Sequence, residues 1–175
     1  FGGVVTNYGM IDEESKININ KAGEKVLNAM LEMIGELNSM SAADVAAAIV
    51  DWRDPNDVVL TGGAENSYYA ALSQPYPCHN ADFQSVHELL LVKGMGEVLF
   101  ARIRPYLTIY GTGKVNINTA DPIVLVCLGE ASGGGDRAVC RSLADKIGMF
   151  RAAGNVFTDA SIVGQLNAFA QVKPE

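Results

Sequence analysis

The chain has 175 residues, 49% hydrophobic and 19% charged, which is enough to bury a core in one domain or two small lobes and too apolar for a disordered chain. Its 13 Lys and Arg against 20 Asp and Glu leave a net charge of -7, which disfavours a phosphate-binding surface and favours cations and basic protein surfaces as partners. No apolar run reaches the roughly 18 residues that span a bilayer, and the opening Phe1-Gly2-Gly3-Val4-Val5 reads as the interior of a longer chain.

Residues 1–20 read as an extended region ending in Lys16-Ile17-Asn18-Ile19-Asn20. A helix follows over Ala22–Leu37, with Asn20 as its N-cap and Val26, Leu27, Met30, Leu31 and Ile34 on one face. Ser41 to Asp44 has the form of a capping box and opens a second helix that carries Val45, Ala48, Ile49 and Trp52 inward. It ends near Asp54, because Pro55 drives the preceding residue out of the helical region. A loop over 55–84 leads to a hairpin over 85–104. Ser85 and Glu88 form a second capping box there, Gly94 and Gly96 allow a tight turn, and a helix starts at Glu97. Strands are predicted over 105–118. Thr119–Leu128, with Thr119 as its N-cap, and Asp136–Ala153 then form a second helical pair joined by Gly129–Gly135, with a short amphipathic helix after Phe157 (Ile162, Val163, Leu166, Phe169).

The chain repeats itself. Lys16–Ala22 and Lys114–Ala120 share the pattern N-I-N-x-A at an offset of 98, which also maps Leu27 to Leu125, Ala46 to Ala144, Ile49 to Ile147, Arg53 to Arg151, Tyr8 to Tyr106 and Ile11 to Ile109. The predicted organisation is a strand region over 1–20, a first helical lobe over 21–104, strands over 105–118 and a second helical lobe over 119–175. The fold class is α+β, mainly α, built from helix-hairpin-helix-like (SAM-like) units fed by short strands.

Asp51, Asp54, Asn56, Asp57 and Glu65 fall within fifteen positions at the end of the second predicted helix. Helix C-termini carry partial negative charge, so carboxylates gathered there call for a cation. Asp51 and Asp54 share a helical face, and irregular oxygen donors of this kind suit calcium. Magnesium, or a solvated loop neutralised by Arg53, are the alternatives. At the offset of 98 the counterparts of Asp51, Asp54 and Asp57 are Met149, Ala152 and Asn155, so the scaffold does not require the carboxylates. Cys78, Cys127 and Cys140 read as buried thiols, with a Cys127–Cys140 bridge as the second reading.

An ordered series of phrases resembles the minor pseudopilin K family of type II secretion systems. It comprises Ile11-Asp12-Glu13, Lys16 to Asn20, Ala48 to Asp54, Gly63-Ala64-Glu65, Tyr68-Tyr69, Pro75-Tyr76, Asn80 to Phe83, Glu88-Leu89-Leu90, Val92-Lys93-Gly94 and Val115 to Ala120. The resemblance implies a helical domain inserted in a pilin-like strand region, anchored in the bacterial inner membrane by an upstream apolar helix. It also implies a place at the periplasmic pseudopilus tip, with other minor pseudopilins and secreted cargo as partners. The implied role is assembly rather than catalysis, and family members can carry calcium. Two departures from the family pattern stand out: the anchoring helix is missing from this sequence, and the end after Phe157 reads as a helix rather than closing strands. Contact with partners is expected through apolar surface of the strand region and the C-terminal helix.

A rival reading is a competence-type helix-hairpin-helix protein binding nucleic acid at Gly94-Met95-Gly96. Lys93, Arg102 and Arg104 are the cations nearby, against Asp82, Glu88 and Glu97, and the loop at Gly129–Asp136 is acidic, so no nucleic acid is expected. His79 and His87 stand in no catalytic arrangement, and Ser132 lies in no nucleophile elbow.

Overall fold

The computed structural model describes residues 11–133 and 136–158. The chain is mainly helical. Its strands are β1 (Ile17–Asn18) and β2 (Leu107–Thr108), paired in parallel with Ile17 opposite Leu107 and Asn18 opposite Thr108. The extended regions predicted over 1–20 and 105–118 thus narrow to two residues each among the described residues. The asparagines turn the chain away at once, since Asn18 Nδ2 donates to Tyr110 O at 2.8 Å while its Oδ1 accepts from Asn20 N at 2.9 Å. Residues 1–10, including Tyr8 of the repeat, lie outside the described residues.

Helix α1 spans Glu24–Met33, inside the predicted range of Ala22–Leu37. Its N-cap is Gly23, not Asn20, because the Asn20 amide is committed elsewhere: Nδ2 donates to Phe83 O at 2.9 Å and Oδ1 accepts from Phe83 N at 2.7 Å. The helix stops before Leu37 because Glu36 sits at φ 58°, which no helical residue can adopt. Helix α2 spans Ser39–Arg53 and is capped by Asn38, whose side chain accepts from Ser41 N at 3.0 Å. Ser41 is therefore inside the helix and the expected capping box at Ser41–Asp44 does not form. Its C-cap is Asp54, extended before Pro55 as the proline requires.

After α3 (Asn66–Ala70) comes the hairpin. The Ser85–Glu88 capping box is formed, but the element it caps is a 310 helix over Val86–Leu91. Gly94 then turns at φ 80°, where an added Cβ would meet Val45 Cγ2 at 2.7 Å, and α4 runs over Glu97–Ile103. The second pair is α5 (Pro122–Ala131) and α6 (Arg137–Ala152). Asp121 caps α5, with Pro122 at the first helical position, rather than Thr119, whose hydroxyl donates to Asp12 Oδ2 at 2.6 Å. Asp136 caps α6. The helix expected after Phe157 falls from residue 159 onward outside the described residues.

Helix α1 packs on α2 and α5, and α5 on α6. The main core gathers Leu27, Met30, Leu31, Ile49, Trp52, Tyr69, Leu89, Ile103 and Val124, each side chain of this size contributing about 1.5–3 kcal/mol on burial. All three cysteines are buried and free. No Cys127–Cys140 bridge forms, because Cys127 faces the main core while Cys140 packs in a small second cluster with Val126 and Ala144. Burial pushes the Cys127 thiol up to about 12.

The two N-I-N segments share a set of hydrogen bonds. Asn18 Oδ1 accepts from Asn20 N at 2.9 Å and Asn116 Oδ1 from Asn118 N at 3.0 Å. Asn118 holds Phe157 through both backbone atoms, at 3.0 and 2.7 Å, as Asn20 holds Phe83. Arg53 donates to Ile19 O and Ala22 O, and Arg151 to Ala120 O at 2.7 Å.

Candidate metal centre

The last turn of α2 brings Asp51 and Asp54 to the same side, and Asp51 faces inward with no exposed surface. The chain then loops out and returns through Thr61-Gly62-Gly63-Ala64 to Glu65, which immediately precedes α3. The return passes so close to α2 that a Cβ on Gly63 would lie 2.0 Å from Asp51 Oδ2, and Gly62 turns at φ 83°. Only glycine satisfies both the contact and the turn. Asp51, Asp54 and Glu65 each offer a carboxylate oxygen within 4.8 Å of the others.

The three carboxylates differ in how they are satisfied. Asp51 accepts from Leu60 N at 3.3 and 3.2 Å through its two oxygens. Burial raises its pKa, opposed by amide donors from Leu60 and Ala64. Asp54 is half-buried and accepts from Asn56 N and from Asn56 Nδ2, at 3.1 and 2.6 Å. Glu65 is 2% exposed, yet neither of its carboxylate oxygens has a hydrogen-bond partner among the described residues. Burial, reinforced by Asp51, Asp54 and Asp57, pushes its pKa up to about 7. A buried carboxylate without donors costs several kcal/mol when ionised. Near neutral pH such a group is held by a proton or by a cation.

Of the five residues singled out from sequence, the structure brings Asp51, Asp54 and Glu65 together. Asn56 and Asp57 stand beside them and shape the loop. Asn56 Oδ1 accepts from Val58 N at 2.7 Å, and Asp57 Oδ1 accepts from Asn66 Nδ2 at 2.8 Å and Asn80 Nδ2 at 3.0 Å. Arg53 makes no ion pair with the cluster among the described residues, since its guanidinium donates to Ile19 O and Ala22 O. The donors are hard carboxylate oxygens, the chemistry that calcium and magnesium both take. Trp52 and Tyr69, with ring centroids 5.0 Å apart, lie within the buried core just behind the site.

Four further participants are not assigned to the site by the sequence pattern. Cys78 lies behind the site with its thiol 3.9 Å from Asp51 O, and burial pushes it up to about 11. Asn66 and Asn80 tie Asp57, and Asn80 does so from φ 48°. Lys93 donates to Gly62 O at 2.9 Å and Gly63 O at 3.0 Å. The Gly62-Gly63 pair is the one local signal that the loop doubles back, and the remaining contacts join residues far apart in the chain. Elsewhere, His79 Nδ1 lies 3.3 Å from Glu88 Oε2, with no nucleophile in the pair. At the hairpin turn Lys93 is turned inward as described, and Arg102 pairs with Glu36 at 2.8 Å, so two of its three cations are engaged within the chain.

Curated relatives agree on one name. The chain is 36% identical over 101 residues to type II secretion system protein K of Aeromonas hydrophila, and the match covers 56% of this chain and 30% of that protein. The corresponding protein K of Klebsiella pneumoniae is 35% identical over 100 residues, again covering 56% of this chain and 30% of the relative. The chain thus spans about a third of the length of the curated relatives it matches. A chain in the crystal structure of the GspK-GspI-GspJ complex from the enterotoxigenic Escherichia coli type 2 secretion system shares the fold, with a TM-score of 0.62 at 21% identity over 89% of this chain and 61% of that one. The family model for type II secretion system (T2SS), protein K, matches residues 7–112, and the chain belongs to that family.

Proposed function

We propose that this chain is part of a non-enzymatic minor pseudopilin that assembles with other minor pseudopilins at the periplasmic tip of a type II secretion pseudopilus. The family match over residues 7–112 carries the reading, and the fold shared with a chain of the GspK-GspI-GspJ complex supports it. Secreted cargo is a second class of contact. Among the described residues no helix is long and apolar enough to cross a membrane, and the proposed inner-membrane anchor lies upstream. The proposed organisation is a pilin-like strand region over 1–20 and 105–118, with helix-hairpin-helix-like (SAM-like) lobes over 21–104 and 119–175 related by duplication. The recurrence of the asparagine clamps on Phe83 and Phe157 supports the duplication.

The same reading assigns calcium to Asp51, Asp54 and Glu65, with Asn56 and Asp57 shaping the loop around it. The unpartnered, buried Glu65 carboxylate supports this most directly, because a cation supplies the charge balance that no side chain offers it. Bound there, calcium would fasten the loop after α2 to the start of α3, giving a rigid head. Co-expression of the full-length protein with the neighbouring minor pseudopilins tests the assembly. A complex that co-purifies is the expected result, and failure of every such complex to form would count against assembly as the function.

A further inference from the structure

We infer that Lys93 is a positioning residue of the Asp51–Asp54–Glu65 site, holding the Thr61–Ala64 turn in the orientation the carboxylates need; the inference rests on the cation reading above. Lys93 sits at the hairpin turn between the 310 helix and α4, 28 positions after Glu65. Its backbone N–H donates to the hydroxyl of the fully buried Tyr69 at 3.3 Å, which fixes the stem. Its ammonium donates to Gly62 O and Gly63 O, and stands 5.3 Å from the centre of the Tyr68 ring.

The opposite side of the same turn faces α2. Leu60 N donates to Asp51, and Ala64 N does so as well. The Gly63–Ala64 peptide therefore has its oxygen on a cation and its N–H on an anion, the orientation of lowest electrostatic energy for that dipole. The turn has no room to drift toward the helix, since a Cβ on Gly62 would lie 2.1 Å from Asp44 Oδ1 and one on Gly63 2.0 Å from Asp51 Oδ2. Lys93 closes it from outside. Without that pull, the amides that orient Asp51 are free to turn away, and Glu65, two residues beyond Gly63, is no longer set against Asp51.

This role and simple charge repulsion have opposite signs. A lysine near a cation site opposes the cation through space, so removing its charge alone would tighten binding. Loss of a positioning lysine loosens it. A lysine that merely ties the hairpin to the loop would lower the melting temperature equally in chelator and in calcium.

Calcium chloride titrated into the chelated chain by calorimetry, with parallel melts in EDTA and in calcium, separates these cases for the native chain, Lys93→Met and Lys93→Arg. The expected result is a Kd raised about tenfold or more in Lys93→Met, with a smaller calcium-induced rise in Tm. Lys93→Arg, whose guanidinium can reach both carbonyls, should recover most of the affinity and remains informative if the methionine variant fails to fold. A Kd unchanged or lowered in Lys93→Met, or a melt depressed equally in both conditions, would overturn the role of Lys93 while leaving the cation site standing. A native chain that neither takes up calcium nor melts higher in it would overturn both.

Discussion

At the end of α2 the chain leaves Arg53 and does not reach its asparagine clamp until Phe83, thirty positions on; at the end of α6 it leaves Arg151 and is clamped at Phe157, six positions on. The clamps themselves are alike, and so are the arginines that hold the N-I-N segments. What differs is the chain between the two anchor points. A fivefold longer loop costs about 1.4 kcal/mol more to close. The short loop turns with Met149, Ala152 and Asn155 in exposed positions, whereas the long one folds back over α2 and buries Asp51 and Glu65. The comparison teaches that the burial of Asp51 and Glu65 comes with the long loop and is not required by the helical pair, since the pair at α5 and α6 does without it.

The largest expected effect separates the loop from the scaffold by pH. The folded-state pKa of Glu65, about 7, lies above its ordinary value of 4.5. The fold therefore favours the protonated form, and this stability is fully present below about 4.5 and lost as pH rises through 7. The loss is on the order of 3 kcal/mol, and the raised Asp51 acts in the same direction. Asp12, Glu13 and Glu32 are lowered by hydrogen bonds, Arg137 being the donor to Glu32, so their contribution is lost only as pH falls below the usual carboxylate range. Urea titrations in EDTA should show stability falling from pH 5 to pH 8 in the native chain and falling much less in Glu65→Gln, where the raised Asp51 alone remains. A native chain that gains stability over that window would refute the buried, unpaired Glu65.

Next in size is calcium itself. At a hundred times its Kd it adds about 2.7 kcal/mol, several degrees of Tm for a chain of this length. Glu65→Gln at pH 7.5 should melt no lower than the native chain in EDTA, because the buried charge is gone, and should show no rise with calcium. If Glu65→Gln retained the calcium rise, Glu65 would be excluded as a ligand.

The clamps give a smaller and more discriminating contrast. Asn20→Ala and Asn118→Ala each remove two side-chain to backbone hydrogen bonds, worth roughly 1–2 kcal/mol together. Asn20→Ala also frees one end of the long loop, so it should cost more, weaken calcium binding, and be partly offset by excess calcium in a melt. Asn118→Ala should leave the calcium response unchanged. Equal calcium responses in the two variants would break the link between clamp and site.

Much of this was legible in the sequence because it is local. The Pro55 stop, the Ser85–Glu88 box and the inward set Val45, Ala48, Ile49 and Trp52 each follow from neighbours within one or two turns. Two of the misplaced caps had a common cause: Asn20 and Thr119 are good capping residues whose side chains were taken by distant partners, Phe83 and Asp12, whereas the Ser41 box lost its place to Asn38 three residues upstream. The acidic cluster could be seen as a composition, but its geometry depends on Gly63 touching Asp51 and on Lys93 reaching across from the hairpin. Neither contact leaves a periodic trace in the chain.

The smallest expected effect tests whether carboxylates alone suffice. Met149→Asp with Ala152→Asp copies the Asp51 and Asp54 spacing onto the end of α6, where both positions are exposed. Two acids near a helix C-terminus oppose its dipole, so stability should fall by about 0.5 kcal/mol, measured by urea titration. No calcium binding should appear by calorimetry. The five residues between Arg151 and Phe157 contain no third carboxylate, no Gly-Gly turn to press amides against the helix and no lysine to hold that turn. Calcium uptake by this variant would show that two aspartates on a helix end are enough, and the long loop with its clamp would lose its place in the site.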